Sequence, residues 1–137
     1  EIMPSLVGSE MCIRDRYYFF MPEDLALSTL ANKRGYNLYV DSNITLYHLQ
    51  QQTGSKVKVA TLPAARKGSI YFHSVGSKIL YWLLALYVFS ISLSKYIMFL
   101  IKGQKINAEA QLHCVETIFS NKTPKQIFVK YYMKLKK

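Results

Sequence analysis

Tyr17–His48 reads YYFFMPEDLALSTLANKRGYNLYVDSNITLYH, and the fold class is taken from this stretch. Tyr17–Met21 is a short aromatic run of the kind that suits a buried strand. Pro22-Glu23-Asp24 then opens a helix, because proline fits the first helical turn and carboxylates suit the positive end of the helix dipole. Leu25, Leu27, Leu30 and Ala31 supply a partial apolar face, and Lys33 and Arg34 close the last turn. Gly35 falls where a left-handed C′ residue is wanted. Tyr36–Val40 reads as a strand, Asp41-Ser42-Asn43 as a turn and Ile44–His48 as a second strand. Strand, helix, strand in this order predicts an α/β fold.

One ordered set within the block carries a resemblance: Glu23-Asp24 at a strand end, a helix over 25–34, Gly35-Tyr36, then Tyr47-His48. It resembles the acceptor-side block of family-2 inverting glycosyltransferases, and is most similar to rhamnosyltransferase-like members that act on lipid-linked acceptors. Each element alone is common; the order and spacing carry the likeness, clearly over Tyr17–His48 and weakly as far as Phe72. The resemblance implies the incomplete C-terminal half of a nucleotide-diphospho-sugar transferase (GT-A-like) fold. It implies transfer from a nucleotide-sugar donor to a lipid-linked glycan acceptor in cell-envelope polysaccharide synthesis, at the cytoplasmic face of the bacterial inner membrane. It also implies Asp24 as general base with Glu23 in support, and a divalent cation, Mg or Mn, in the intact parent.

The chemistry agrees with those roles. Inverting transfer needs a base for the acceptor hydroxyl proton, and a carboxylate at a helix N-terminus is held in place and stays ionised. The plainer reading is that Glu23 and Asp24 only satisfy helix amides. The resemblance also implies that His48 lies near the donor diphosphate or its metal, a place that suits imidazole, which binds cations, and imidazolium, which neutralises phosphate; its plainer role is an interfacial histidine. Family members continue with a Gly-Gly-Ser-like stretch, whereas this chain has Gln50-Gln51-Gln52-Thr53-Gly54-Ser55-Lys56. Thr53, Ser55 and Lys56 remain candidate phosphate contacts there. Lys56, Lys58, Arg66 and Lys67 otherwise read as a solvated basic loop.

Downstream, Leu49–Lys67 is polar and basic with Gly54 and Pro63 as breakers, and reads as a loop. Ile79–Ser94 is sixteen residues without a charge; Lys95 interrupts, and Tyr96–Ile101 adds six more uncharged residues. A spanning helix needs about 20 apolar residues, so the stretch sits at the boundary. Lys78, Lys102 and Lys105 flank it, and Tyr81, Trp82 and Tyr96 suit an interface. Three readings follow: a helix lying in the inner leaflet, a true span, or a buried core helix. Asn107–Phe119 reads as an amphipathic helix, and Thr123-Pro124 begins a last one ending in KYYMKLKK.

The 137 residues carry a net charge of +10, which suits an anionic partner. Basic residues in company with a long apolar stretch favour an anionic membrane surface. Nucleic acid is disfavoured, because no helix-turn-helix or zinc-ligand pattern accompanies the charge. Cys12 and Cys114 define neither a metal spacing nor a disulfide framework, and His73 and His113 have no partners at ligand spacing.

Leu6–Arg16, LVGSEMCIRDR, resembles a translated sequencing adapter, and residues 1–16 are therefore set aside from fold reasoning. The expected organisation is 1–16 adapter-derived, 17–72 acceptor-side domain, and 73–137 a helical tail with a long apolar helix near 78–102. On this reading the native chain begins upstream and carries an Asp-x-Asp there, and the present piece does not catalyse alone. The alternative is a small non-catalytic membrane-associated protein with a basic tail.

Overall fold

The computed structural model describes residues 23–45, 57–74 and 76–135. They form five helices: α1 (Glu23–Lys33), α2 (Lys58–Ser74), α3 (Lys78–Ile101), α4 (Lys105–Ile118) and α5 (Pro124–Leu135). No strand occurs among the described residues, so the expected α/β, GT-A-like architecture is overturned in favour of a small helical bundle. Tyr36–Val40 shows why the strand reading fails. Its β-forming side chains are exposed, with Tyr39 and Val40 87% and 96% accessible, and no segment among the described residues pairs with it in a ladder. β-Propensity records packing on a pleated surface, and without that surface it decides nothing. Ile44 and Thr45 are likewise not in a strand, while Tyr17–Met21 and residues 46–48 lie outside the described residues.

Helix α1 ends as its residues dictate. Gly35 takes φ +82°, its N–H bonds Asn32 O at 3.0 Å and the Tyr36 N–H reaches back to Ala31 O at 3.0 Å, a Schellman closure. The Asp41 turn is also present, with the Asn43 N–H donating to Asp41 Oδ1 at 2.9 Å.

The loop expected over Leu49–Lys67 is corrected from Lys58 onward, where α2 runs unbroken through Pro63 to Ser74. Proline normally breaks such a helix because it has no N–H for the carbonyl one turn back. Here that carbonyl belongs to Val59, and His113 Nδ1 of α4 lies 3.3 Å from it. A carbonyl only accepts, so the ring donates and replaces the missing bond. Pro63 is itself fully buried.

Ser77 caps α3, accepting from the Leu80 N–H at 3.3 Å. Gly103, at φ +67°, closes it with a second Schellman pair: Gly103 N–H to Leu100 O at 3.0 Å and Gln104 N–H to Phe99 O at 2.9 Å. Thr123-Pro124-Lys125-Gln126 forms a capping box at the start of α5. The Thr123 N–H donates to Gln126 Oε1 at 3.0 Å and the Gln126 N–H to Thr123 Oγ1 at 3.4 Å, with Pro124 in the first turn.

Among the described residues, extensive packing between helices is confined to α2–α5. Ala60 and Ala64 of α2 pack on Ile127 and Tyr131 of α5. Ile70 of α2, Ala85 of α3, and Cys114 and Ile118 of α4 form a second cluster, with Leu62, Leu84, Val88 and Phe89 against it. At about 100° per residue, Leu62 lies on the opposite side of α2 from Ala60 and Ala64, and Ile70 lies on the flank between, about 80° from Ala60 and 120° from Ala64. Similarly, Cys114 and Ile118 point away from His113 and Glu116, which meet Tyr131. The bundle therefore has three layers, with α2 and α4 between α3 on one side and α5 on the other.

Candidate functional site

Glu23 and Asp24 are the first two residues of α1, at its positive end. His48, Thr53, Ser55 and Lys56 lie outside the described residues. Among the described residues no three His, Cys, Asp or Glu side chains are grouped to hold a metal ion.

The feature the structure does build is the outer surface of α3. This helix is 24 residues long and apolar enough to cross a membrane, yet only Ala85 and Ser92 are buried. Its packed stripe runs through Tyr81, Ala85, Val88 and Ser92 at alternating spacings of three and four, which is what a helix needs to seat one side on a bundle. The opposite arc holds Ile79, Leu83, Leu86, Tyr87, Ile97 and Ile101, all exposed, with Leu83 at 59% and Ile101 at 83%. Burying half of such a side chain is worth about 1 kcal/mol, so six of them in water are a large unmet term.

Polar groups on this arc are few: the Tyr87 hydroxyl and two serines that bond back to their own helix. The Ser90 hydroxyl donates to Leu86 O and that of Ser94 to Ser90 O, each at 3.0 Å and one turn back. Ser92, on the packed stripe, donates to Val88 O at 2.7 Å and accepts from Arg66 Nη1 at 3.0 Å. Lys95, which interrupts the apolar run in the sequence, does not interrupt the surface. Twelve residues from Leu83, it is about 120° round the helix, and Lys102, seven residues further on, falls on the same flank. The other flank is aromatic: Trp82 stacks on Phe119 with centroids 6.0 Å apart, and Phe89 lies 5.3 Å from Phe119.

Of the residues suited by sequence to an interface, Trp82 is exposed at the arc's edge, whereas Tyr81 and Tyr96 are half-buried. Tyr81 belongs to a buried polar centre. Lys67 is 1% exposed, and its ammonium donates to Tyr81 Oη at 2.7 Å, to Ile118 O, and to Ser120 O at 2.9 Å. Those carbonyls close α4, so the cation sits at the negative end of that helix with all three N–H groups used. Burial pulls Lys67 down to about 8. A buried lysine of lowered pKa is often a catalytic signature, but saturation by three acceptors makes this one a helix cap. Its place in the solvated loop expected from sequence is thereby corrected.

His113 is buried against Tyr131, rings 3.7 Å apart and 17° from parallel, and burial lowers its pKa despite the Val59 carbonyl and the nearby Glu116 and Glu109. Tyr131 in turn donates to Glu116 Oε2 at 2.8 Å. Cys114 is fully buried, its thiol pushed up to about 12 by desolvation.

Sequence reading had the apolar stretch but missed the separation of Lys95 from its exposed arc and the contribution of Phe119. Projecting 79–102 at helical period supplies the first; the second comes from a different helix and has no local signal. Comparison with known protein families, curated proteins and solved structures gives no match to this chain.

Proposed function

We propose that the bundle formed by α2–α5 is a membrane-associating module that lies in the plane of the bilayer surface, with the outer arc of α3 in the lipid. The observation that carries this reading is the uncharged, exposed arc of a 24-residue helix whose remaining side is seated on the bundle. At 1.5 Å per residue α3 is about 36 Å long, enough to span a hydrocarbon core of about 30 Å. Its partners argue against standing upright. Helices α2 and α4 both pack on α3, carrying half-buried Arg66, which donates to Ser92 midway along α3, and exposed Glu109 and Glu116. An upright α3 would carry these charges into hydrocarbon at about 3 kcal/mol each near the centre. Lying flat, α3 sinks its arc about 5–10 Å and leaves them on the aqueous side.

Trp82 is the sole tryptophan and sits at the arc's edge, so its fluorescence reads the geometry directly. On adding vesicles its emission should shift to the blue, and bromines placed shallow on the acyl chains should quench it more than deep ones. Strongest quenching from the bilayer centre would replace the in-plane reading by a span, and an unchanged spectrum would remove the membrane altogether.

A second reading extends the first. An inverting glycosyltransferase acting on a lipid-linked acceptor at the cytoplasmic face of the membrane would use such a module to stay beside its substrate. The feature that supports it is α1 alone, which starts at Glu23-Asp24 and closes at left-handed Gly35, while the strand that would follow at Tyr36–Val40 is absent. Asp24 is then the base and Glu23 its neighbour, with a divalent cation held elsewhere. Long-read sequencing of the source DNA across the Arg16–Tyr17 codons tests it: an upstream Asp-x-Asp in frame supports the enzyme, and genuine genomic sequence through residues 1–16 counts against it.

A further inference from the structure

Lys95 and Lys102 stand one above the other on a single flank of α3, at the border between the apolar arc and the bundle. Both are exposed, and among the described residues neither ammonium meets a carboxylate. With the helix in the bilayer plane, this flank lies at headgroup depth along its C-terminal half, and Lys105 follows just beyond the Gly103 turn. The opposite flank, with Trp82 and Phe119, carries Lys78 at the N-terminal end of the helix and no charge along the C-terminal half.

The three layers place the other conspicuous lysines elsewhere. Lys125, Lys130 and Lys134 belong to α5, on the far side of α2 and α4 from α3. Lys130 donates to Tyr131 Oη at 3.2 Å and lies 4.6 Å from that ring's centroid, and Lys134 is 5.7 Å from it. When the arc of α3 is in lipid, α5 is separated from the surface by a whole helical layer, about 8–10 Å, comparable with the screening length in physiological salt.

We propose that the partner of the α3 surface is an anionic phospholipid bilayer, and that Lys95 and Lys102 form its headgroup-binding rim while the basic residues of α5 take no part. This rests on the in-plane membrane reading above. The occupant is assigned by charge: an apolar arc alone is indifferent to headgroup, whereas a lysine rim at headgroup depth gains only where phosphate is not neutralised by choline. A lysine near an anionic surface contributes about fivefold in binding, so the pair contributes about 25-fold.

The test uses the full chain and two vesicle compositions, phosphatidylcholine alone and the same lipid with about 30% phosphatidylglycerol, with partitioning followed by sedimentation. The chain should bind the anionic vesicles more tightly, and K95Q/K102Q should lower that affinity about 25-fold while leaving binding to neutral vesicles unchanged. K125Q/K130Q/K134Q should bind anionic vesicles nearly as the parent does. Equal binding to both compositions, an unaltered K95Q/K102Q, or a loss confined to the α5 triple variant each overturns the rim assignment and leaves membrane association standing. Absence of binding to either vesicle, with the far-ultraviolet helix signal intact, removes the membrane reading and the rim with it.

Discussion

His113→Phe should destabilise the bundle by about 1–3 kcal/mol, and Pro63→Ala should take away much of that cost. Phenylalanine keeps a ring to stack on Tyr131, which lies 3.7 Å away, but has no N–H for Val59 O. Leaving a buried carbonyl without a donor costs about 1–3 kcal/mol. Pro63→Ala brings back the main-chain N–H that α2 lacks, one turn from the same oxygen. Pro63→Ala has opposing effects of its own: relief of interior proline is worth about 3 kcal/mol, and loss of buried pyrrolidine carbons costs about 2 kcal/mol. These appear in both arms of a double-mutant cycle and cancel. The coupling of about 1 kcal/mol or more is read from urea unfolding followed by the far-ultraviolet helix signal. Equal costs of His113→Phe with and without Pro63→Ala would refute the reasoning and assign the histidine's role to packing alone.

The pH dependence follows from two buried bases. His113 has a folded pKa below its ordinary value, so as pH falls below about 6.5 the unfolded chain takes up a proton that the folded one resists, and stability should fall with it; His113→Phe should lose this slope. Lys67, near 8 when folded and 10.5 when free, means the unfolded state holds more protons between those values, so stability should rise with pH across that window and Lys67→Met should not show the rise. With Cys12 replaced by serine, Cys114 should resist maleimide in the native chain and label fully in denaturant, its thiol being buried and pushed up to about 12; rapid native labelling would contradict its burial. Thr123→Ala should cost about 1 kcal/mol of thermal stability by opening the capping box of α5, and an unchanged melting curve would show the cap to be idle.

Local signals in the chain were legible and long-range ones were not. Gly35 after Lys33-Arg34 announced the end of α1, and Thr123-Pro124 the start of α5, because each reports only on its own turn. Pro63 misled for a complementary reason: the group that satisfies its orphaned carbonyl lies 54 residues away. Lys67 read as a loop cation for the same reason, since its acceptors at Ile118 and Ser120 are 51 and 53 residues distant. Tyr36–Val40 has the composition of a strand, but a strand exists only with a partner edge, which no property of five residues can promise. For the site, hydrophobicity located α3, while the clean arc needed the helical projection and the neighbouring layer. The expected contacts at His48, Thr53, Ser55 and Lys56 lie outside the described residues.

The tight Gly103 reversal also bears on the order in which the bundle assembles. Only Lys102–Gln104 separate α3 from α4, so their contacts close a very short loop and are available early. Contacts of α2 with α4, by contrast, must enclose about fifty residues, and the closure entropy is met late. The α2–α3 connection, residues 75–77, is equally short, but α3 packs more extensively on α4 than on α2, so the α3–α4 hairpin is the natural nucleus, with α2 and α5 docking onto it. Substitutions at Ala85 or Cys114 should slow refolding, whereas those at Ala60 or Ile127 should chiefly speed unfolding. Stopped-flow kinetics on Cys114→Ala and Ile127→Val separate the two, and the reverse partition would place the nucleus at the α2–α5 contact instead.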